Sequence, residues 1–456
     1  MKMSRKFRSV NYEESIKQTV ELGEALPTNH LARFVVEVIA ILDLMPIYKK
    51  YSQEGGEAID PRILLALLFY GYATGVFSSR KIEKATYESI PFRYIAGGLH
   101  VDHDTIAHFR KTFLKEIKGL FLQILLIAQE LGLFELGNIS ADGSKIHADA
   151  SKSHAISYGR AKELELALKA EIEGLFELVQ KAEKNEVELP DGLVIKEEIE
   201  RREERLANLA RAKKVIEARA QERYEAEKAE YDAKMKEREE RERETGRKPR
   251  GKEPTAPVEA PSDKEQYNFT DPESRIMKNS TNSGYDQHYN VQAVNDQKTM
   301  LVVGTAVSNH PNDKQEVIPT IGSIAPELGK IKGAALDNGF FSATNIEGLE
   351  KMGIDPYIAT GREPHHKDWQ SFFKEQPAPP ADNASAKVKM AYKLQTEIGQ
   401  AIYRLRKCTI EPVIGIIKEI LGFRQFSLRG LDAVDGEWCL VCLAFNLKRM
   451  HVLCTA

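Results

Sequence analysis

The chain has 456 residues, of which 42% are hydrophobic and 29% charged, and its formal net charge is −3. A chain of this length normally divides into two or three domains, and this hydrophobic content is enough to form real cores. No stretch approaches the ~20 consecutive apolar residues of a membrane span, and the basic N-terminus lacks the apolar segment of a signal peptide. A near-neutral charge does not exclude nucleic acid as a partner, because a basic face can be offset by acidic residues elsewhere.

The four cysteines are too few for a disulfide scaffold in a chain of this length, and we expect a cytoplasmic protein. Cys439 and Cys442 form a Cys-x-x-Cys pattern, which is also found in metal and redox sites. They lie in an apolar run, and no second Cys or His pair stands at ligand spacing. The pattern therefore favours packing in a hydrophobic core over metal or redox chemistry.

Residues 1–135 are predicted to be mostly helical. Asp60-Pro61 is a typical helix start, with a capping residue and then proline, and the apolar run Ile63 to Tyr72 follows it. Ser78-Ser79-Arg80 and Asp104-Thr105 open two further helices. Short helices with basic residues near their starts are compatible with a DNA-binding module and equally with an ordinary helical bundle.

Residues 160–264 are unusually rich in charge and alanine. Apolar residues recur every three or four positions on both sides of Leu189-Pro190-Asp191-Gly192, which predicts a helical hairpin of the coiled-coil type. Thr245 to Lys264 is rich in Pro, Lys and Glu, a composition typical of a disordered linker. We expect this segment to be inserted into one catalytic domain, formed by residues 136–159 and 265–456.

Strand signals return after this insertion. Apolar runs with strand periodicity cover Tyr289 to Val294 and Met300 to Val307, and Lys332 to Gly339 is predicted as a buried strand that ends in Asp337. A helix and a short strand follow, and Glu411 to Leu421 is predicted as a helix that begins at Glu411. Strands that alternate with helices in this order predict an α/β domain with a mixed sheet.

Two acids occupy unusual positions in these predicted strands. Asp142 lies in the middle of the strand-like segment Asn138 to Ile146, and Asp337 ends a buried strand. Strand interiors disfavour Asp, so two such placements indicate a function. Neighbouring carboxylates are unstable without a cation, and Mg²⁺ prefers such oxygen ligands, with Mn²⁺ as a substitute. Glu411 is placed to supply the third ligand.

Three carboxylates can hold two metal ions about 3.5–4 Å apart, which suits an in-line phosphoryl displacement. For any single acid, a role as a helix cap or turn residue is the stronger interpretation. Asp149 is the substitute if Asp142 is misplaced, and Asp286 and Asp313 are further acids near the predicted strands. The neighbouring histidines, His147 and His310, are expected to be structural or solvated.

Several stretches together resemble the DDE transposases of bacterial insertion sequences, in the branch with a helical N-terminal domain and an RNase H-like catalytic domain. The resemblance covers most of residues 30–150 and 285–452 and leaves the charged insertion outside it. The matching stretches are Asp104 to Arg110, Ser140 to Ile146, Leu336 to Phe340, Tyr403 to Lys418, Gly422 to Phe426, Leu428 to Leu431 and Leu443 to Arg449.

By this resemblance, Asp142, Asp337 and Glu411 correspond to the catalytic and metal-binding triad. In this chain, three residues look like the Tyr, Arg and Lys that accompany the Glu in the family: Tyr403, Arg406 and Lys418. The usual spacing places the Arg four positions before the Glu, where this chain has Lys407, so either Arg406 or Lys407 takes that role. The neighbouring basic residues predict a DNA-binding surface, with surface salt bridges as the alternative; they are Arg404, Arg406, Lys407, Arg424 and Arg429.

The predicted fold class is therefore α/β (α+β), with a helical DNA-binding domain in residues 1–135 and an RNase H-like catalytic domain interrupted by the hairpin of residues 160–264. The resemblance implies a homodimeric, nucleoid-associated enzyme that binds terminal inverted repeats in double-stranded DNA and catalyses Mg²⁺-dependent cleavage and strand transfer. Three alternatives stay open: a nuclease of the same fold that does not join ends, a catalytically inactive DNA-binding derivative, and a coiled-coil scaffold.

Overall fold

A computed structural model describes residues 21–52, 57–184, 194–245, 253–279, 284–361, 378–381 and 383–455. They form two compact units, one within residues 1–146 and 289–456 and the other within residues 147–288. The structure is a mixture of helices and a mixed sheet, with helices alone in the N-terminal part, so the predicted fold class is confirmed. None of the helices in the described ranges is long and apolar enough to cross a membrane.

The described residues of the N-terminal part of the first unit form eight helices: α1 (Leu22–Ala25), α2 (Leu31–Ile41), α3 (Met45–Tyr48), α4 (Pro61–Ala73), α5 (Ser79–Glu88), α6 (Ile90–Ile95), α7 (His103–Thr112) and α8 (Leu114–Glu130). Asp60 caps α4 as predicted, because its carboxylate accepts the Arg62 N–H at 2.9 Å. Helix α7 begins one residue before the predicted Asp104, since Asp102 is its cap and accepts the Thr105 N–H at 2.8 Å.

The C-terminal helix α15 (Leu431–Thr455) forms the centre of the first unit. It is buried along most of its length and packs against α4, α8 and strand β6 (Val302–Ser308). Gly436 permits the close approach to α8, because a Cβ there would lie 3.1 Å from the Leu114 Cβ. Cys439 and Cys442 lie in this helix with 3% and 0% exposure, as expected for core residues, and burial raises the pKa of Cys439 to about 12.

The sheet of the first unit has the strand order β6-β5-β1-β7-β8, with β1 (Asn138–His147) at its centre. Strand β5 (Tyr285–Asp296) is antiparallel to β6, whereas β7 (Gly333–Leu336) is parallel to both β1 and β8 (Asp355–Ile358). Strands β1 and β5 are antiparallel. The backbone N–H of Gln297 donates to the carbonyl oxygen of Asn138, and the backbone N–H of Ala148 donates to that of Gln287. This order, with these directions, is the arrangement expected of an RNase H-like sheet. Two short helices, α11 (Val317–Gly322) and α12 (Ala343–Lys351), follow β6 and β7.

The helix that carries Glu411 is longer than predicted. After α13 (Ala386–Lys393), helix α14 runs from Glu397 to Gly415 and continues as a π-helical turn from Ile416 to Ile420. The prediction that a helix begins at Glu411 is wrong, because the Thr396 hydroxyl caps the helix fifteen positions earlier by accepting the Gly399 N–H at 3.1 Å. Pro412 lies inside the helix, where it lacks a backbone N–H to donate.

The second unit is built on a helical hairpin of α9 (Tyr158–Glu183) and α10 (Ile195–Thr245), which pack side by side as the sequence predicts. Its remaining elements are the short strands β2 (Ala155–Ser157), β3 (Gln266–Asn268) and β4 (Arg275–Lys278). The predicted break at Leu189 to Gly192 lies outside the described residues. The predicted linker is described only in part, and its residues 254–258 lie alongside α10.

Candidate metal-binding active site

The sheet places the first two acids side by side. In the parallel pair of β1 and β7, Ala141 lies opposite Leu336. Asp142 and Asp337 each follow these partners by one residue, so they lie at the same edge of the sheet. The two strand positions inferred for these acids from the sequence are therefore as expected: Asp142 lies within a strand and Asp337 directly after one.

Buried contacts hold α14 against the same edge. Tyr403 packs with Ala335 of β7 and with Ala359, which follows β8. On the β1 side, Ser140 is fully buried and its hydroxyl oxygen accepts hydrogen bonds from Thr409 Oγ1 at 3.1 Å and from a glutamine, Gln297, at 2.9 Å. These contacts fix the helix that carries Glu411 in relation to the strands that carry the two aspartates.

The three acids converge on one guanidinium. Arg406 Nη1 lies 3.3 Å from Asp142 Oδ2, and Arg406 Nη2 lies 3.7 Å from Asp337 Oδ1 and 3.0 Å from Glu411 Oε1. Arg406 is 5% exposed, whereas the side chains of Asp337 and Glu411 are both 49% exposed. Burial raises the pKa of Asp142 to about 6, although the charge of Arg406 opposes this shift.

The structure distinguishes the two basic residues that precede Glu411. Arg406 faces the carboxylates, and its guanidinium carbon lies 5.9 Å from the centre of the Tyr403 ring. Neighbouring residues of an α-helix point about 100° apart, and Lys407 accordingly lies at the exposed surface. Tyr403 is only 8% exposed. Of the residues inferred to bind DNA, Tyr403 and Arg406 are therefore buried at the acids, and Lys407 is outside them.

Two segments of the chain match known protein families. Residues 20–112 match the family model described as a transposase domain (DUF772), and residues 379–451 match the model of a transposase DDE domain. These two matches support an insertion-sequence DDE transposase. No curated protein and no solved structure matches it. The matched segments contain helices α1 to α7 and Glu411, whereas α8, Asp142 and Asp337 lie outside both of them.

DDE transposases generally use divalent metal ions, and the acidic residues of this site fit such an ion. Three carboxylates already converge on a single positive charge, and carboxylate oxygens are the ligands that Mg²⁺ and Mn²⁺ prefer. Within the described residues, no group of three or more His, Cys, Asp or Glu side chains is arranged to hold a metal by itself. In the arrangement seen here, the guanidinium of Arg406 offsets part of the negative charge of the three acids.

Lys418 lies beside the first acid. Its ammonium donates to Ser144 Oγ at 3.0 Å and to the carbonyl oxygen of Lys145 at 3.3 Å, two and three residues after Asp142 in β1. Burial lowers the pKa of Lys418. Lys418 lies in the π-helical turn that continues α14, so it does not stand at regular α-helical spacing from Glu411. It reaches the site through β1 instead.

The other predicted DNA-binding residues, Arg424 and Arg429, lie exposed in the loop of residues 421–430. The loop is anchored by Glu437, which is fully buried and accepts the backbone N–H groups of Ser427 and Leu428 at 3.0 Å each. Glu437 also faces Arg110 of α7, at 3.9 Å.

Arg110, which faces Glu437, is a buried structural residue. It is 6% exposed and donates a hydrogen bond to Tyr72 OH at 2.7 Å. Basic residues near helix starts had suggested a DNA-binding role for this part of the chain. Arg110 lies in the last turn of α7 and joins the N-terminal helices to the loop that follows the third acid.

A fourth acid, Asp313, lies close to the triad, and the sequence assigns it no role. Asp313 Oδ1 accepts hydrogen bonds from Asn290 at 2.8 Å and Gln292 at 2.7 Å, two residues of β5. Asn290 and Gln292 are two positions apart in the strand, so their side chains point to the same face of the sheet. From the sequence alone, two amide side chains on one face of a strand give only a weak signal, because they do not show which acid lies opposite them.

The remaining side chains considered from the sequence have other partners. Asp149 and Asp286 belong to the second unit. His147 stacks near His288, with ring centres 4.2 Å apart, and His310 Nδ1 lies 2.7 Å from Glu316 Oε1. The expectation that these two histidines are structural agrees with these contacts.

Proposed function

We propose that the chain binds the inverted repeats at the ends of its insertion sequence and catalyses metal-dependent DNA cleavage and strand transfer. The observation that carries this proposal is the convergence of Asp142, Asp337 and Glu411 on Arg406, at one edge of an RNase H-like sheet. Two matches to transposase domains support it.

In this proposal the three carboxylates hold the divalent cation, Mg²⁺ or in its place Mn²⁺. When bound, the cation supplies a Lewis acid that stabilises the charge developing on the phosphate oxygens. Arg406 sets the spacing of the carboxylates and offsets their mutual repulsion. Lys418, next to Asp142 on the same edge, is placed to hold a DNA phosphate through a charge-assisted hydrogen bond.

DNA binding is assigned to the matched N-terminal helices within residues 1–135 and to the exposed basic residues around the third acid. Arg404, Lys407, Arg424 and Arg429 are exposed, as expected for contacts with the phosphate backbone. We further propose that the catalytic domain comprises residues 136–159 and 265–456, that residues 160–264 are an inserted interaction arm, and that the active form is a homodimer associated with the nucleoid.

Two alternatives make different predictions for the same site. A nuclease of this fold would cleave the DNA but would not join the ends. A catalytically inactive DNA-binding derivative would bind without cleaving, but the presence of all three acids around Arg406 argues against such decay.

The test uses a labelled duplex that carries the element's own terminal repeats, together with a target plasmid and Mg²⁺. Wild type is compared with Asp337→Ala and Glu411→Ala. Asp355→Ala is the matched control, because Asp355 begins β8 at the opposite edge of the same sheet and pairs with Lys393. We expect wild type and the control to cleave at the repeat boundary and join the ends, and both active-site variants to bind DNA without cleaving it.

Each other result has a defined meaning. Cleavage without joining would favour the nuclease, and binding without cleavage by wild type would favour the inactive derivative. Cleavage that survives both active-site substitutions would show that the wrong acids have been assigned.

A further inference from the structure

Asp313 is held in an unusual way for a surface acid. Both amides that donate to its Oδ1, from Asn290 and Gln292, are almost fully buried, with 2% and 0% exposure. Amide donors fix the direction of a carboxylate but leave its negative charge in place, unlike a Lys or Arg partner. Among the described residues, Asp313 is therefore supported by amides and has no Lys or Arg in a salt bridge with it.

The support lies directly beside the triad. Gly143 follows Asp142, and a Cβ at Gly143 would lie 2.5 Å from Asp313 Oδ1 and 2.4 Å from Gln292 Nε2. Only a residue without a side chain fits between Asp142 and this pair. Asp313 also lies near the second aspartate of the triad. A Cβ at Gly339, two residues after Asp337, would lie 3.7 Å from Asp313 Oδ2. Asp313 is thus close to the residues that follow both aspartates of the triad.

A second observation points toward a ligand. Gln292 Oε1 is buried and has no hydrogen-bond partner among the described residues, although its Nε2 donates to both Asp313 and Asn290. Buried polar atoms are normally satisfied, and exceptions are concentrated where water, an ion or a substrate belongs. This oxygen belongs to the same amide group that lies against Gly143.

We propose that Asp313 is a fourth carboxylate of the active site and increases its affinity for the divalent cation, an inference that rests on the proposed function. Four carboxylates surround a site in which Arg406 provides one positive charge, so a divalent cation relieves more repulsion than it would with three acids. Asn290 and Gln292 hold the carboxylate of Asp313 in position. Gly143, which has no side chain, leaves room for this carboxylate beside Asp142.

The test is a Mn²⁺ titration of the full-length protein, with free Mn²⁺ measured by its electron paramagnetic resonance signal and no DNA present. Asp313→Asn keeps an oxygen that can accept from both amides but removes the charge. We expect it to weaken Mn²⁺ binding by about tenfold or more, the size found when residues that support metal ligands are replaced. Asp355→Asn, at the opposite edge of the sheet, is expected to bind like wild type.

Two further measurements separate the possible failures. Thermal unfolding in EDTA verifies that Asp313→Asn is folded, and Asp313→Ser provides a second neutral variant if it is not. If both neutral variants bind Mn²⁺ like wild type while Asp142→Asn binds it weakly, the role of Asp313 is refuted and the proposed function stands. If Asp142→Asn, Asp337→Asn and Glu411→Gln all bind like wild type, the proposed metal site itself is wrong.

Discussion

Replacing Arg406 with Gln should destabilise the metal-free protein and make its stability depend on divalent cations. The substitution leaves three carboxylates without the buried guanidinium that lies within 3.7 Å of each of them. Removing one partner of a buried ion pair typically costs about 3–5 kcal/mol. Asp337 and Glu411 are half-exposed and their repulsion is screened, so we expect a loss of about 2–3 kcal/mol in the free energy of unfolding.

The assay is thermal unfolding in EDTA and in Mn²⁺, with Lys407→Gln as the control because Lys407 is the adjacent, exposed cation. A loss of this size should lower the melting temperature by about 3–5 °C, because the entropy of unfolding grows with size and the first unit spans roughly 300 residues. Mn²⁺ should recover most of the loss in Arg406→Gln, since a divalent charge replaces the missing one, and should change Lys407→Gln no more than wild type. Equal melting of Arg406→Gln and wild type in EDTA, or a loss that Mn²⁺ does not reduce, would refute this reasoning.

Three further predictions follow from contacts in the first unit. Burial raises the pKa of Asp142 from 3.8 to about 6 in the folded state. In urea unfolding without metal, wild type should therefore lose up to about 3 kcal/mol of stability relative to Asp142→Asn as the pH rises from 4 to 7. Parallel pH profiles of the two proteins would contradict this. Lys418→Ala should weaken DNA binding and reduce the slope of log affinity against log salt by about 1 in fluorescence anisotropy, and an unchanged slope would exclude a phosphate contact. Glu437→Gln should cost about 2–4 kcal/mol in urea unfolding, because it leaves Arg110 buried without its acid; a cost below about 0.5 kcal/mol would show that the pair is not needed.

The strand positions of the two aspartates were predictable because they depend on local signals. Apolar residues around Asp142 and Asp337 specify the strands, and an Asp in such a run is conspicuous. The helical hairpin was predictable for the same reason, since its apolar residues recur at helical spacing over many turns. These elements depend on periodicity within a short window of sequence.

The features that the sequence did not predict depend on contacts between distant segments. Glu411 lies inside a helix because Thr396 caps it, whereas Pro412 suggested a helix start. Arg110 is buried through Glu437, more than three hundred positions away in the chain, and Asp313 reaches the site through amides on β5. Which of Arg406 and Lys407 faces the acids likewise became apparent only once Tyr403 was seen to pack against β7.

The most direct test of the central claim is to map the bound cation on the protein, which needs no knowledge of the terminal repeats. Fe²⁺ replaces the divalent ion, and hydroxyl radicals generated at the iron by ascorbate and peroxide cleave the nearby backbone. We predict fragments ending close to residues 142, 337 and 411, which disappear when excess Mg²⁺ is added. Fragments that end elsewhere, or a pattern that Mg²⁺ leaves unchanged, would contradict the assignment of Asp142, Asp337 and Glu411 as the metal-binding acids.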